Sequence, residues 1–174
     1  NKETICVYNE GNYFGVNTPV FISTSNKYMG YDEHIYPGYF NTKNQKAIIK
    51  TLSKLEGSET GVVFSSGMAA ISTTLLSLLK PDDHIIFSGE IYGGTHKFIL
   101  EVLNKFNVEY DIVHGNNWDD YRSKIKDNTK AIYTEAPSNP LLSIVDLSEI
   151  ANISKENNLL SIVDNTFATP INQN

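Results

Sequence analysis

The sequence predicts an α/β fold, a three-layer arrangement in which a mostly parallel sheet is flanked by helices. Three observations carry that prediction. Short apolar runs alternate with helical segments between residues 61 and 165, the pattern of parallel strands joined by helical crossovers. The run Gly61-Val62-Val63-Phe64-Ser65-Ser66-Gly67-Met68-Ala69-Ala70 reads as a short buried strand turning directly into a helix. The polar residues that stand out all fall at the carboxyl ends of predicted strands, where such sheets gather function.

Residues 1–45 form the first segment, rich in Asn, Tyr, Gly, Thr and Ser and without sustained periodicity. Gly15-Val16-Asn17-Thr18-Pro19 reads as extended chain and Tyr36-Pro37-Gly38-Tyr39 as a turn. Tyr8, Tyr13, Phe14, Phe21, Tyr28, Tyr31, Tyr36, Tyr39 and Phe40 give this arm more aromatic surface than a disordered tail carries. It needs a surface to lie on, either its own domain or a partner subunit. A helix follows from about Asn44 through Ile48, Leu52 and Leu55, with Gly57 as its C-cap.

In the run after Gly61, Ser65 or Ser66 can cap the helix, and Gly67 lets the backbone turn closely. The amides of the first turn then face outward at the positive end of a helix dipole, where a phosphate is stabilised. Lys80-Pro81-Asp82-Asp83 stops this helix. Strands are predicted at His84–Phe87, 108–113, 131–134 and 160–163, with helices through Phe98 to Leu103, Trp118 to Ile125 and Ile150 to Ile153, the last capped by Asp146. Residues 88–95 read as a loop.

Composition narrows the function. Net charge is −6 and no basic stripe occurs, which argues against a nucleic-acid footprint. One arginine, Arg122, stands against thirteen lysines, so bidentate anion clamps are nearly lacking. The single Cys6 forms no intrachain disulfide, and the scattered histidines His34, His84, His96 and His114 suggest no metal site. Neither a membrane span nor a leader is read, so the cytoplasm is the expected compartment.

Among the strand-end residues, Asp164 either caps the turn through Asn165 and Thr166 or serves as counter-ion to a protonated heteroaromatic nitrogen. Tyr92, in Tyr92-Gly93-Gly94-Thr95, is either a surface-loop tyrosine or a residue that stacks on a ring or donates a proton. Glu135 and Asn139 flank a proline-bounded turn. Glu135 could orient ligand-contacting residues from behind. His34, His84 and His114 read as ordinary polar positions, and Cys6 as a bystander.

Taken together, Phe64-Ser65-Ser66-Gly67-Met68-Ala69-Ala70, Tyr92-Gly93-Gly94-Thr95, Glu135-Ala136-Pro137-Ser138-Asn139-Pro140 and Asp164-Asn165-Thr166-Phe167-Ala168-Thr169-Pro170 closely resemble the trans-sulfuration, or Cys/Met-metabolism, family of pyridoxal-phosphate enzymes. The family includes cystathionine synthases and lyases and methionine gamma-lyases. The resemblance implies a fold type I, PLP-dependent transferase-like subunit of which this chain is the amino-terminal portion. Residues 1–45 would be an arm crossing a dimer and active site, and residues 46–174 the first part of the cofactor-binding large domain. It further implies that Ser66, Gly67 and Met68 hold the cofactor phosphate and that Tyr92 stacks on the pyridine ring and serves as the catalytic proton donor. Asp164, supported by Thr166, would pair with the ring nitrogen. Asn139 would lie near the phenolic oxygen and the substrate carboxylate, and Glu135 behind them. Tyr36 would reach the phosphate of the neighbouring subunit.

Two departures stand out. Gly38 occupies the place of the arginine in the family's Tyr-x-Arg motif, removing a charge-assisted contact worth roughly 1.5–3 kcal/mol. Lys43 stands where a nearby proline is usual and could restore part of that charge. In the family, the Schiff-base lysine follows the Asp-Asn-Thr-Phe run, whereas the last lysine here is Lys155. The expected function is β- or γ-elimination or replacement on a sulfur-containing amino acid, by a homodimer or homotetramer when full length. The 174-residue chain alone is expected to be inactive. The alternative is a non-catalytic fragment, or a pairing partner of a full-length subunit.

Overall fold

The computed structural model describes residues 1–7, 15 and 17–174. Tyr8, Tyr13 and Phe14 of the arm, and Val16 of the extended segment, lie outside the described residues. In chain order the elements are α1 (Lys2–Val7), α2 (Lys43–Glu56), α3 (Gly67–Leu78), β1 (His84–Ser88), α4 (Gly93–Glu101), β2 (Glu109–Val113), α5 (Trp118–Ser123), β3 (Thr129–Glu135), α6 (Leu147–Glu156), β4 (Leu160–Asp164) and α7 (Thr169–Asn172). Single 3-10 turns occupy Pro37–Tyr39 and Leu103–Phe106. The chain divides into two compact units, Asn1–Ser65 with Pro170–Asn174, and Ser66–Thr169.

The Ser66–Thr169 unit is built on four parallel strands in the order β2-β1-β3-β4. β1 is central and has helices over both faces, so all five of its residues are buried. That environment explains its unbroken apolar run, since a strand covered on both sides has no polar face to alternate with. Ile85 and Phe87 pack with Ala131 and Tyr133 against Leu75 of α3 and Ile99 of α4. Ile86 and Ile132 point the other way, toward Tyr121 of α5 and Ile150 and Ile153 of α6. Each such fully buried Ile, Leu or Phe side chain contributes about 1.5–3 kcal/mol.

This distribution creates a reversal in the winding. The chain leaves β1 over one face and leaves β3 over the other, so the two loops diverge at the carboxyl ends of adjacent strands. In open parallel sheets such a divergence is where a binding crevice forms.

The predicted strands at 84–87, 108–113, 131–134 and 160–163 are all present. Residues 61–64, predicted as a strand, are not: they join no ladder among the described residues, and Val62 is exposed. Apolar β-branched residues become a strand only where a neighbour completes the hydrogen bonds. The loop predicted over 88–95 is shorter, because α4 starts at Gly93. Helices α1 and α7 fall in segments whose sequence shows no helical period.

In the Asn1–Ser65 unit, α2 begins at a reciprocal capping box. The Thr42 hydroxyl accepts from the Gln45 amide, and the Gln45 side chain accepts from the Thr42 amide. Gly57 ends the helix in the left-handed region at φ 68°, as predicted. The Asn44 side chain both accepts from and donates to the backbone of Phe21, and the Lys43 ammonium lies 4.6 Å from the centre of the Phe21 ring. Tyr28, Tyr31, Tyr36 and Tyr39 remain exposed.

His84 departs from the ordinary polar position expected of it. It is fully buried at the start of β1, with Nδ1 2.8 Å from Thr129 Oγ1 and Nε2 3.2 Å from Asp111 Oδ2. Because the Lys126 amide donates to Thr129 Oγ1, the hydroxyl proton is left for His84 Nδ1, and Nε2–H donates to Asp111. The neutral ring thus ties three strands together. Burial and the charge of Lys126 hold its pKa below the usual histidine value, against the opposing pull of Asp111 and Glu109.

A histidine whose folded pKa lies below its unfolded value of 6.5 takes up its proton first in the unfolded chain, so stability falls as pH drops below 6.5 toward the folded pKa. Urea denaturation of the wild type and His84→Gln between pH 7.5 and about 5 is expected to show a shallower acid loss in the variant. Parallel profiles would contradict the assignment.

Candidate cofactor site

At the divergence, the carboxyl ends of the strands and the start of α3 enclose a cavity of about 180 Å³ lined by Gly67, Met68, Ile71, Tyr92, Glu135, Asn139, Asp164, Thr166 and Phe167. Every one of these residues belongs to the Ser66–Thr169 unit. Seven of them are residues the sequence singles out. Ile71 and Phe167 are additions. The helical spacing of Ile71 marks it only as core, and Phe167 follows Thr166 within a motif already noted.

The floor at one end is the first turn of α3. Ser66, not Ser65, is the cap: its hydroxyl accepts from the Ala69 amide at 3.1 Å. The amides of Gly67 and Met68 precede the first intrahelical hydrogen bond and retain their donors at the positive end of the helix dipole. The Ser66 hydroxyl accepts in the cap and keeps its own proton to donate.

Tyr92 ends the β1 loop and caps α4 with its backbone. Its ring folds back across the bare Cα of Gly94, where a Cβ would collide with the Tyr92 ring and lie 3.0 Å from Met68 Sδ. The tyrosine and the methionine therefore meet over a glycine that leaves room for both. The phenol stays accessible, 45% exposed.

Asp164, at the end of β4, is held by three donors. Tyr133 Oη donates to Oδ2 at 3.1 Å, the Thr166 amide donates to Oδ1 at 3.1 Å, and the Thr166 hydroxyl also donates to Oδ1. Among the described residues no lysine or arginine pairs with it. Burial, followed by the negative charge of Asp164, raises the Tyr133 pKa far above the phenol range, so Tyr133 remains a proton-bearing donor. Tyr133 was not among the residues singled out. Two residues before Glu135 on the same strand face, it was legible only as core.

Glu135 is 5% exposed and accepts two backbone hydrogen bonds of 2.7 Å, from Tyr92 to Oε2 and from Asn139 to Oε1. Burial raises its pKa, the two amides oppose that, and Asp164 adds to it. Tyr36 lies in the Asn1–Ser65 unit, exposed and edge-on to Tyr39. Gly38, in place of the arginine, sits under the Tyr36 ring.

A second cavity, about 610 Å³, lies within the Asn1–Ser65 unit among Ile5, Val7, Pro19, Val20, Ile48 and Leu52. Its lining among the described residues, which also includes Cys6, Asn17, Asn44 and Thr51, holds no Asp, Glu, His or Lys. Among the described residues no group of His, Cys, Asp and Glu side chains is placed to hold a metal ion, and no helix is long and apolar enough to cross a membrane.

The profile of a family described as Cys/Met metabolism PLP-dependent enzyme matches residues 7–174. The chain is 40% identical over 157 residues to the cystathionine beta-lyase of Lactococcus lactis subsp. cremoris, a match covering 89% of this chain and 41% of that protein. It is 39% identical over 160 residues to the cystathionine gamma-synthase/O-acetylhomoserine (thiol)-lyase of Bacillus subtilis (strain 168), covering 91% of this chain and 43% of that protein. The crystal structure of cystathionine gamma-lyase from Lactobacillus plantarum complexed with L-serine superposes with a TM-score of 0.89 at 32% identity, over 98% of this chain and 46% of that one. The chain thus spans less than half the length of these relatives.

Gly94→Ala is expected to displace the Tyr92 ring and Met68 while changing stability by no more than about 1 kcal/mol, since alanine suits a helix interior better than glycine. Tyrosine ring resonances and urea midpoints measure the two effects separately. An unmoved Tyr92 resonance would contradict the packing described.

Proposed function

The chain belongs to the Cys/Met metabolism PLP-dependent enzyme family, and from that premise we propose that it is the amino-terminal part of a cytoplasmic enzyme that breaks or replaces the bond at the β or γ carbon of a sulfur-containing amino acid. One observation carries the reading: a single cavity joins the amides of a helix start, an accessible tyrosine and a carboxylate that, among the described residues, no lysine or arginine pairs with.

The residues fit the family's cofactor. A phosphate at Gly67 and Met68 would receive two amide hydrogen bonds and the helix dipole. The bare Gly94 leaves room for the Tyr92 ring, which lines the cavity and can stack on a pyridine ring there. Asp164, oriented by three donors, is the partner for a protonated ring nitrogen. When bound, pyridoxal phosphate supplies the electron sink that stabilises charge at the amino acid's Cα.

The protein's own contributions follow. Thr166 and Tyr133 fix the Asp164 carboxylate. Asn139 provides an amide for the phenolic oxygen and the substrate carboxylate. The accessible phenol of Tyr92 delivers a proton to the departing sulfur or oxygen. Tyr36, on the aromatic arm, serves the phosphate of a neighbouring subunit in a homodimer or homotetramer, and its exposure supports that role. Lys43, the candidate to restore part of the charge absent at Gly38, lies over the Phe21 ring.

Pyridoxamine 5'-phosphate tests the reading without interference, because its amine cannot condense with surface lysines. One molecule per chain is expected to bind, and Asp164→Asn to weaken binding about tenfold or more, the loss of one charge-assisted hydrogen bond. Binding that Asp164→Asn leaves unchanged would refute the assignment. No lysine lines the cavity, so the 174-residue chain with pyridoxal phosphate is expected to turn over cystathionine no faster than free cofactor does. Sequencing the reading frame past Asn174 separates an enzyme, which has a lysine in the continuing frame, from a non-catalytic pairing partner, which has a stop codon.

A further inference from the structure

Glu135 occupies the point where the winding of the sheet reverses. The β1 loop, carrying Tyr92, departs toward one face of the sheet, and the β3 loop, carrying Asn139, departs toward the other. Glu90 and Ile91 of one loop and Pro137 and Ser138 of the other lie beyond the paired stretch of β1 and β3, which ends at Phe87 and Tyr133. The Glu135 carboxylate joins the two loops, with one oxygen on each amide at 2.7 Å.

We propose that Glu135 is a positioning residue that ties the Tyr92 and Asn139 loops into one unit, so that the two groups proposed to contact the ring and the substrate are placed together. The consequence for the cofactor rests on the function proposed above. The tie itself rests on the geometry alone.

The charged form is required. An ionised carboxylate accepts strongly at both oxygens, whereas protonation leaves one of them a weaker acceptor and a glutamine replaces one with a donor NH2 facing an N–H, so one of the two bonds is weakened or lost. The groups facing Glu135 are Asp164, its register partner on β4, and the Tyr133 phenol on its own strand. Neither is a cation, so the amides of Tyr92 and Asn139 are what stabilise the charge. Burial and Asp164 push the Glu135 pKa above its ordinary value of 4.5.

The test is a pH titration of the Tyr92 and Asn139 amide resonances in ¹⁵N-labelled protein. Both are expected to shift with one common midpoint above 4.5, and Asp164→Asn to lower that midpoint while the two amides still share it. In Glu135→Gln the common transition should vanish, and pyridoxamine 5'-phosphate should bind about tenfold or more weakly. Separate midpoints in the wild type, or a common transition that persists in Glu135→Gln, would overturn the proposal. If the variant does not fold, the wild-type and Asp164→Asn titrations still decide it. If the wild type fails to bind pyridoxamine 5'-phosphate, the proposed function falls, and the shared midpoint is judged independently.

Discussion

The pairing of β1 with β3 is the constraint from which the rest follows. It puts two strands side by side whose succeeding helices lie on opposite faces of the sheet, so the chain must open at their carboxyl ends. The buried runs Ile85-Ile86-Phe87 and Ala131-Ile132-Tyr133 make that pairing the best-protected part of the Ser66–Thr169 unit. The cavity is formed by what this rigid pair cannot cover. Its lining residues come from four separate chain segments, yet each sits at most a few residues from a strand end or helix start. Their placement therefore owes little to loop flexibility.

The electrostatics of the site are one-sided. Asp164 and Glu135 stand in register on adjacent strands, both at least partly buried, with neutral donors as their partners. Two carboxylates at this spacing repel, and the sheet retains them only because five hydrogen bonds from amides and hydroxyls are directed at them. The two acids differ in what they face. Glu135 is turned inward to backbone, while Asp164 is braced from behind and left open toward the cavity. A site with uncompensated negative charge at one end and helix amides at the other suits a ligand with the opposite polarity: cationic nitrogen at one end, phosphate at the other.

The sheet was legible because its strands are short, apolar and bounded by Pro, Gly and Asp, and because two of the helices carry side-chain caps readable in the sequence, at Ser66 and Asp146. The polar site residues were legible through the motifs that contain them. Residues 61–64 were misread because apolar composition cannot show whether a ladder partner exists. His84 was misread for the opposite reason. Nothing local marks a histidine as buried when its partners, Asp111 and Thr129, lie 27 and 45 residues away. Tyr133 and the double acceptance by Glu135 depend on strand register, which the order of residues along one strand does not contain.

The central claim is that a phosphate at the start of α3 and a ring nitrogen at Asp164 belong to one bound molecule. A crystal structure of the protein with pyridoxamine 5'-phosphate tests this most directly. The account predicts phosphate oxygens within hydrogen-bond distance of the Gly67 and Met68 amides while the ring nitrogen of the same molecule meets the Asp164 carboxylate. A ligand whose phosphate is held elsewhere, with Asp164 facing solvent, would contradict it.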